Sequence, residues 1–324
     1  MKTGTTAIQS FLNESSDFLK ENNFYFPEIN KEAMNYLGFS LLKEIPPYVH
    51  HKLNLKKEDL YKTLKKEINK SKEDNCIIST EAYSLISTKY FLGDKAPLLL
   101  KSLIEEPNFS FKIIASIRKQ DEYLVSQYNQ HVKTHNFYGL FHGNINEFYE
   151  AKKELLDFNS VIKRWESAFG NDNIILHVYD KERNSVDDFL KLLNIHSNIS
   201  ANLKQKINLK MSAKGLQFMN IANKFNIIKK TSKQNALLVE LIEKEILDKN
   251  TKVSLSRDLH NRIINDFTVG NKEISDKYLN GNYKWFETQL LDELVQEETE
   301  NEELTLEDSI RIAATIWNYY QKNN

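Results

Sequence analysis

Near its start the chain reads Lys2-Thr3-Gly4-Thr5-Thr6, a cation, a glycine and hydroxyl side chains ahead of Ala7-Ile8-Gln9-Ser10-Phe11-Leu12. The second stretch has helical spacing, with Ile8, Phe11 and Leu12 facing inward. The first turn of a helix leaves backbone N–H groups without partners, and the helix dipole favours negative charge there. A glycine and hydroxyls at that point form a site for phosphate or sulfate. The same residue types also make an ordinary N-cap. This is not a nucleoside-triphosphate loop of the form G-x-x-x-x-G-K-[ST], because the nearby lysine precedes Gly4 by two positions. A nucleotide kinase is disfavoured for that reason.

A second group lies further along. Phe111 to Ile117 is an apolar run that predicts a strand; Arg118 follows it directly, and Ser126 stands eight residues after Arg118. In open α/β sheets ligands bind beyond the carboxyl ends of parallel strands. An Arg fork and a hydroxyl at that edge suit a second phosphate. Glu81, in Ser79-Thr80-Glu81, follows the run Cys76 to Ser79 and falls at the same edge. A half-buried carboxylate there is a candidate proton acceptor, or alternatively an acid placed at a helix start. His131 and His135 are four apart, a metal-compatible spacing. No Glu completes a zinc-protease motif and no third ligand is evident, so no metal is expected. His131 is an alternative base, and His50-His51 reads as exposed loop after Pro46-Pro47.

The order Lys2, Gly4, Thr5, Thr6 at a helix start, followed by a strand, Arg118 and Ser126, resembles the two donor-binding signatures of the sulfotransferases that use 3′-phosphoadenosine-5′-phosphosulfate (PAPS). Phe158 to Tyr179, Asp188 to Leu193, and Ile263 to Leu279 with Phe267 and Asn271 look like later stretches of bacterial members. The resemblance covers about residues 1 to 285, and the first two motifs carry its specificity.

It implies that Lys2-Thr3-Gly4-Thr5-Thr6 binds the donor. Gly4, Thr5 and Thr6 would hold the 5′-phosphosulfate, and Lys2 would neutralise the bridging oxygen. Arg118 and Ser126 would grip the 3′-phosphate, and Glu81 would take the acceptor's proton. The implied reaction is metal-free sulfuryl transfer to a hydroxyl on a saccharide or polysaccharide, leaving adenosine 3′,5′-bisphosphate. The glycine-rich 3′-phosphate loop of the small-molecule sulfotransferases has no match, which points away from phenol and steroid acceptors. In the family an apolar strand runs into the phosphate loop, whereas here Lys2 follows Met1. The expectation is a first strand missing from this chain and a true start upstream. The alternative reading is a degenerate, non-catalytic protein of this fold that binds a glycan or nucleotide.

These residues need a scaffold. Ile174 to Tyr179 predicts another strand, and helical patterns run over Leu98 to Ile104, Gln120 to Lys133 and Phe148 to Phe169, the last with Leu155, Val161, Ile162 and Trp165 inward. Strands alternating with helices predict an α/β fold, a P-loop-like parallel sheet flanked by helices, with a helical C-terminal part. Leu53 to Ile68 predicts a basic amphipathic helix with a solvated outer face. Residues 1–285 form the expected sulfotransferase domain. Residues 286–324 form an acidic connector and a final helix whose stripe of Ile310, Ala313, Ile316, Trp317 and Tyr320 is expected to be buried, on the domain or in a homodimer.

With 324 residues, 40% of them hydrophobic, the chain can build a substantial core. Lys+Arg number 44 against 45 Asp+Glu, so the basic excess of a nucleic-acid binder is absent. One cysteine, Cys76, read as a buried strand thiol, rules out an internal disulfide framework and fits a cytoplasmic setting. No apolar run is long enough for a membrane helix.

Overall fold

The computed structural model describes residues 3–27, 36–42, 56–85, 95–133, 141–196, 211–225, 232–246, 253–287 and 303–323. In chain order the described elements begin with α1 (Thr5–Glu14), α2 (Ser16–Glu21), β1 (Phe24–Tyr25), α3 (Lys57–Ile68), β2 (Asn75–Cys76) and α4 (Lys95–Ile104). Next come β3 (Ile113–Ile117), α5 (Gln120–Lys133), α6 (Ile145–Lys152), α7 (Phe158–Phe169), β4 (Ile174–Val178) and α8 (Ser185–Leu192). The chain ends in α9 (Ala213–Lys224), α10 (Ser232–Glu245), α11 (Arg257–Tyr278), α12 (Lys284–Glu287) and α13 (Leu306–Asn323). The fold is mostly helical, with two small parallel sheets among the described residues.

The chain divides into two compact units. The first comprises Met1–Arg118, Asp157–Lys206 and Gly270–Gly281. It holds both sheets. β1 pairs parallel with β2, Phe24 opposite Asn75 and Tyr25 opposite Cys76. β3 pairs parallel with β4 from Ile113 opposite Ile174 to Ile117 opposite Val178. Instead of one broad sheet, the described strands form these two pairs. The run Cys76 to Ser79 contributes only Cys76 to the two-residue ladder Asn75–Cys76, plus a bond from the Ile77 N–H to the Tyr25 carbonyl at 2.9 Å. Cys76 is half-buried; burial first, and the Glu67 carboxylate second, push its thiol up to about 12, so it stays an inert thiol.

The helix that opens the chain is fixed by its apolar stripe. Ile8, Phe11 and Leu12 pack with Leu19 from α2 and with Val186, Phe189 and Leu190 from α8. Ile114 of β3 and Ile77 lean on the same cluster. Burying a Phe or Leu side chain contributes about 1.5–3 kcal/mol, so this stripe clamps α1 against α8 and the sheet. The clamp brings the starts of α1 and α8 together. On the sheet's other side, α7 buries Ile162, Trp165 and Phe169, and the Phe111 ring meets Phe169 edge-on at 5.5 Å.

The second unit comprises Lys119–Leu156, Ile207–Val269 and Asn282–Asn324. Its core includes Tyr128, Phe148, Tyr149 and Leu156. The pattern from Phe148 to Phe169, expected as one helix, is split. A 3-10 turn over Lys153–Leu156 ends α6, and Asp157 accepts from the Ser160 N–H at 3.0 Å to cap a fresh start at Phe158. The helical period continues through the break, so periodicity alone could not reveal it. Leu155, Ile162 and Trp165 are buried as expected, while Val161 is half-buried. The basic helix is described as Lys57–Ile68, with Leu60 and Leu64 inward.

Within one chain the final helix docks a different face from the stripe expected to be buried. α13 buries Asp308 and Ile312. Ile310, Ala313, Trp317 and Tyr320 of the expected buried stripe are exposed, and Ile316 is half-buried. Asp308 accepts from Lys214 at 3.3 Å and from Arg311 at 2.6 Å, and those charged bonds turn the other face of the helix inward.

Candidate functional site

Gly4 caps α1 in the left-handed region, at φ 74°. Glycine is needed there on two counts. A side chain in that region is strained, and a β-carbon would fall 1.9 Å from Ser185 Oγ at the start of α8. The next atom a β-carbon would meet beyond Ser185 is Tyr179 Cε2, at 3.7 Å. Two helix starts therefore converge on this glycine. They are not equivalent. At α8 the Asn184 side chain accepts from the Val186 and Asp187 N–H groups, and Asp187 and Asp188 stand in the first turn. At α1 no side chain caps the first turn and no acid stands in it. The α1 start is the one that offers its dipole and N–H groups to an anion.

The hydroxyls around it differ in state. Thr3 is buried, 1% exposed, and its Oγ1 has no hydrogen-bond partner among the described residues. A buried hydroxyl without a partner costs about 1–3 kcal/mol, which an arriving acceptor would recover. Thr5 Oγ1 donates to Glu81 Oε1 at 2.9 Å. Thr6 is exposed. The resemblance implies that Thr5 holds the phosphosulfate, but its hydroxyl proton is committed to Glu81 here. Glu81 opens a 3-10 turn, Glu81–Leu85, after the β2 segment. Gln9 Nε2 to Ser79 Oγ, at 3.5 Å, adds a weak second tie between α1 and that segment.

Arg118 enters from the carboxyl end of β3. The Tyr179 N–H donates to the Ile117 carbonyl at 2.8 Å, so the ladder carries Tyr179 to the same edge. The Arg118 guanidinium carbon lies 5.2 Å from the centre of the Tyr179 ring. Alternate residues of a strand share a face. Ile114, which packs on the α1 and α8 cluster, shares its face with Ser116 and Arg118. The Gly4 turn and Arg118 thus meet the same ring, although 114 residues separate them in sequence. The Glu81 carboxylate stands beside this turn through its bond to Thr5.

Three contributors were not singled out from the sequence. Ser185 at a helix start and Tyr179 at a strand end carry no distinguishing sequence pattern. His177 did carry a signal, a polar side chain in the apolar run Ile174 to Val178. Its Nδ1 meets Ser116 Oγ at 3.0 Å, and its Nε2 lies 3.8 Å from Asp188 Oδ2. Burial lowers the pKa of His177 against the opposing pull of Asp188, with the Arg183 charge adding to the lowering. The group joins β3, β4 and α8 behind Arg118 and Tyr179.

Of the remaining expected residues, Ser126 is half-buried on α5, in the second unit. Lys2, His50, His51 and His135 lie outside the described residues. His131 sits in the second unit's core, 1% exposed, its Nδ1 within 2.8 Å of the Gln127 carbonyl and its ring 5.0 Å from that of Phe148. Burial, offset in part by that carbonyl and reinforced by Lys152, lowers its pKa to about 4. A core position and a proton affinity lowered this far do not suit the base role considered for it.

That shift has a consequence for stability. The folded pKa of His131 is below the unfolded value near 6.5, so the unfolded chain binds the extra proton first. Stability is full above about pH 6.5 and falls as pH drops toward 4, by on the order of 3 kcal/mol. We expect the thermal midpoint to fall over that window, and His131→Phe to flatten the fall. An unchanged slope in the variant would assign it to other groups.

A groove of 460 Å³ elsewhere in the first unit is lined by Asn159, Lys163, Glu166, Glu273, Lys277 and Tyr278 among others. Its charges pair with one another, Lys163 with Glu273 and Lys277 with Glu166. It contains none of the residues around Gly4. No protein-family model matches the chain, and no curated protein or solved structure matches it.

Proposed function

We propose that the chain is a sulfotransferase that moves a sulfuryl group from PAPS to a hydroxyl of a saccharide. The observation that carries this reading is the meeting of the Gly4 turn, Glu81 and Arg118 around Thr5 and Tyr179, from three separate parts of the sequence. An open helix start suits a phosphosulfate, a guanidinium suits a second phosphate, and a carboxylate tied to the loop suits the acceptor's proton.

The donor supplies an activated sulfuryl group, and adenosine 3′,5′-bisphosphate is the other product. The chain's own residues have four tasks. The α1 start, Thr6 and the Thr3 hydroxyl orient the sulfate-bearing end and stabilise its oxygens through fixed dipoles. Lys2 keeps the neutralising role that the resemblance implies. Arg118, held against Tyr179, grips the far phosphate and sets affinity more than rate. Glu81 accepts the attacking hydroxyl's proton, and Thr5 keeps that carboxylate aimed at the loop. The contributions are positioning and electrostatics, as in phosphoryl transfer.

Titration calorimetry with adenosine 3′,5′-bisphosphate tests the reading. We expect one site per chain and no comparable binding of magnesium ATP. Preference for magnesium ATP, or no binding of the bisphosphate, would overturn it. Bisphosphate binding without transfer to any member of a saccharide panel would leave a non-catalytic nucleotide-binding protein.

A further inference from the structure

The last helix is apolar on two sides. One side docks on its own unit: α13 packs against α10, buries Ile312, and anchors Asp308 to Lys214. The other side carries Leu306, Ile310, Ala313, Trp317 and Tyr320. Leu306 is 78% exposed, Ile310 59%, Trp317 66% and Tyr320 44%. At about 100° per residue, these five positions fall within an arc of roughly 80°, on the face turned away from Asp308 and Ile312. Successive spacings are four, three, four and three. That is the seam repeat of a two-stranded coiled coil, which keeps one line of side chains against a partner helix.

The order of sizes along the seam points to the partner. The small residue, Ala313, is central. Two copies related by a twofold axis through Ala313 would run antiparallel, with Leu306 against Tyr320 and Ile310 one position from the level of Trp317. Each aromatic ring then meets an aliphatic side chain, and the alanines allow close approach on the axis. A parallel pair would set Trp317 against Trp317 and Tyr320 against Tyr320. Charge favours the same direction. Of the first-turn acids Asp308 is buried against Lys214, which leaves Glu307 exposed, and Lys322 stands in the last turn. The antiparallel pair brings the Glu307 end to the Lys322 end and opposes the two dipoles, whereas the parallel pair sets Glu307 beside Glu307.

We propose that α13 is a dimerisation helix that pairs antiparallel with α13 of a second copy of this chain. A closed twofold pair is also the commonest assembly of identical chains. One helix pair buries less than about 1,200 Å² in total, the range of weak and reversible complexes. The expected behaviour is a monomer–dimer equilibrium in the micromolar range.

Sedimentation velocity on the full chain, from low to several hundred micromolar, reads the equilibrium. We expect dimer at the upper concentrations and monomer throughout for Ile310→Glu and Trp317→Glu, with far-ultraviolet circular dichroism unchanged because both positions are exposed. Mild oxidation reads the direction. Ala313→Cys is expected to give a covalent dimer, and Leu306→Cys and the unsubstituted chain are not. A wild type that stays monomeric, or glutamate variants that dimerise as well as it does, would overturn the interface. A Leu306→Cys variant that cross-links as readily as Ala313→Cys would overturn the antiparallel direction.

Discussion

Replacing Glu81 with glutamine is expected to lower sulfuryl transfer by two to four orders of magnitude and leave nucleotide affinity nearly unchanged. Positioned proton acceptors contribute about 10²–10⁴-fold to rate. Glutamine keeps the shape of the side chain and an oxygen that can accept from the Thr5 hydroxyl, so the tie at 2.9 Å between α1 and the Glu81 turn survives. What is lost is the ability to take a proton. A fall in kcat with the bisphosphate Kd held within a few-fold is therefore the signature of a base. If both quantities move together, Glu81 organises the loop and the proton goes elsewhere. If neither moves, the carboxylate has no part in the chemistry. Thr5→Val separates these outcomes further, because it removes the tie while sparing the carboxylate, and a smaller loss of rate is expected.

Removing the Arg118 side chain is expected to weaken adenosine 3′,5′-bisphosphate binding by roughly 10- to 100-fold, because hydrogen bonds to charged groups are worth about 1.5–3 kcal/mol. Arg118→Ala removes both the charge and the fork. Arg118→Lys keeps the charge but loses the planar geometry that rests on the Tyr179 ring, 5.2 Å from the guanidinium carbon, and should recover part of the affinity. At saturating donor, transfer by Arg118→Ala should stay within about ten-fold of wild type if the group acts mainly in binding. Calorimetry with each variant checks the order, wild type tighter than lysine, lysine tighter than alanine. Equal affinity in all three would move the second phosphate away from the β3 edge.

Much of the local structure was legible because it follows from short-range rules. Helical spacing of Ile8, Phe11 and Leu12 marked the face of α1 that is buried, and the run ending at Ile117 marked a strand with Arg118 at its edge. Gly4 was legible as a helix start, although its contact with Ser185 was not. Glu81 was legible as lying beyond the Cys76 run, but it opens a 3-10 turn past β2, whose sheet is not that of Arg118, and its bond to Thr5, 76 residues away, follows from packing that no local pattern records.

By itself the sequence determined which side chains could handle an anion and a proton, and which short elements would carry them, since the amphipathic period, the capping residues and the charge of each group are properties of neighbours along the chain. Tertiary structure decided the rest. It set α1 against α8 so that two helix starts share Gly4, put Tyr179 under Arg118, and sent His131 into a core. It also turned the Asp308 side of α13 inward, leaving the other apolar face exposed. These outcomes depend on which of two competing faces buries the better-matched surface and satisfies its polar groups. That comparison exists only once distant segments are in contact.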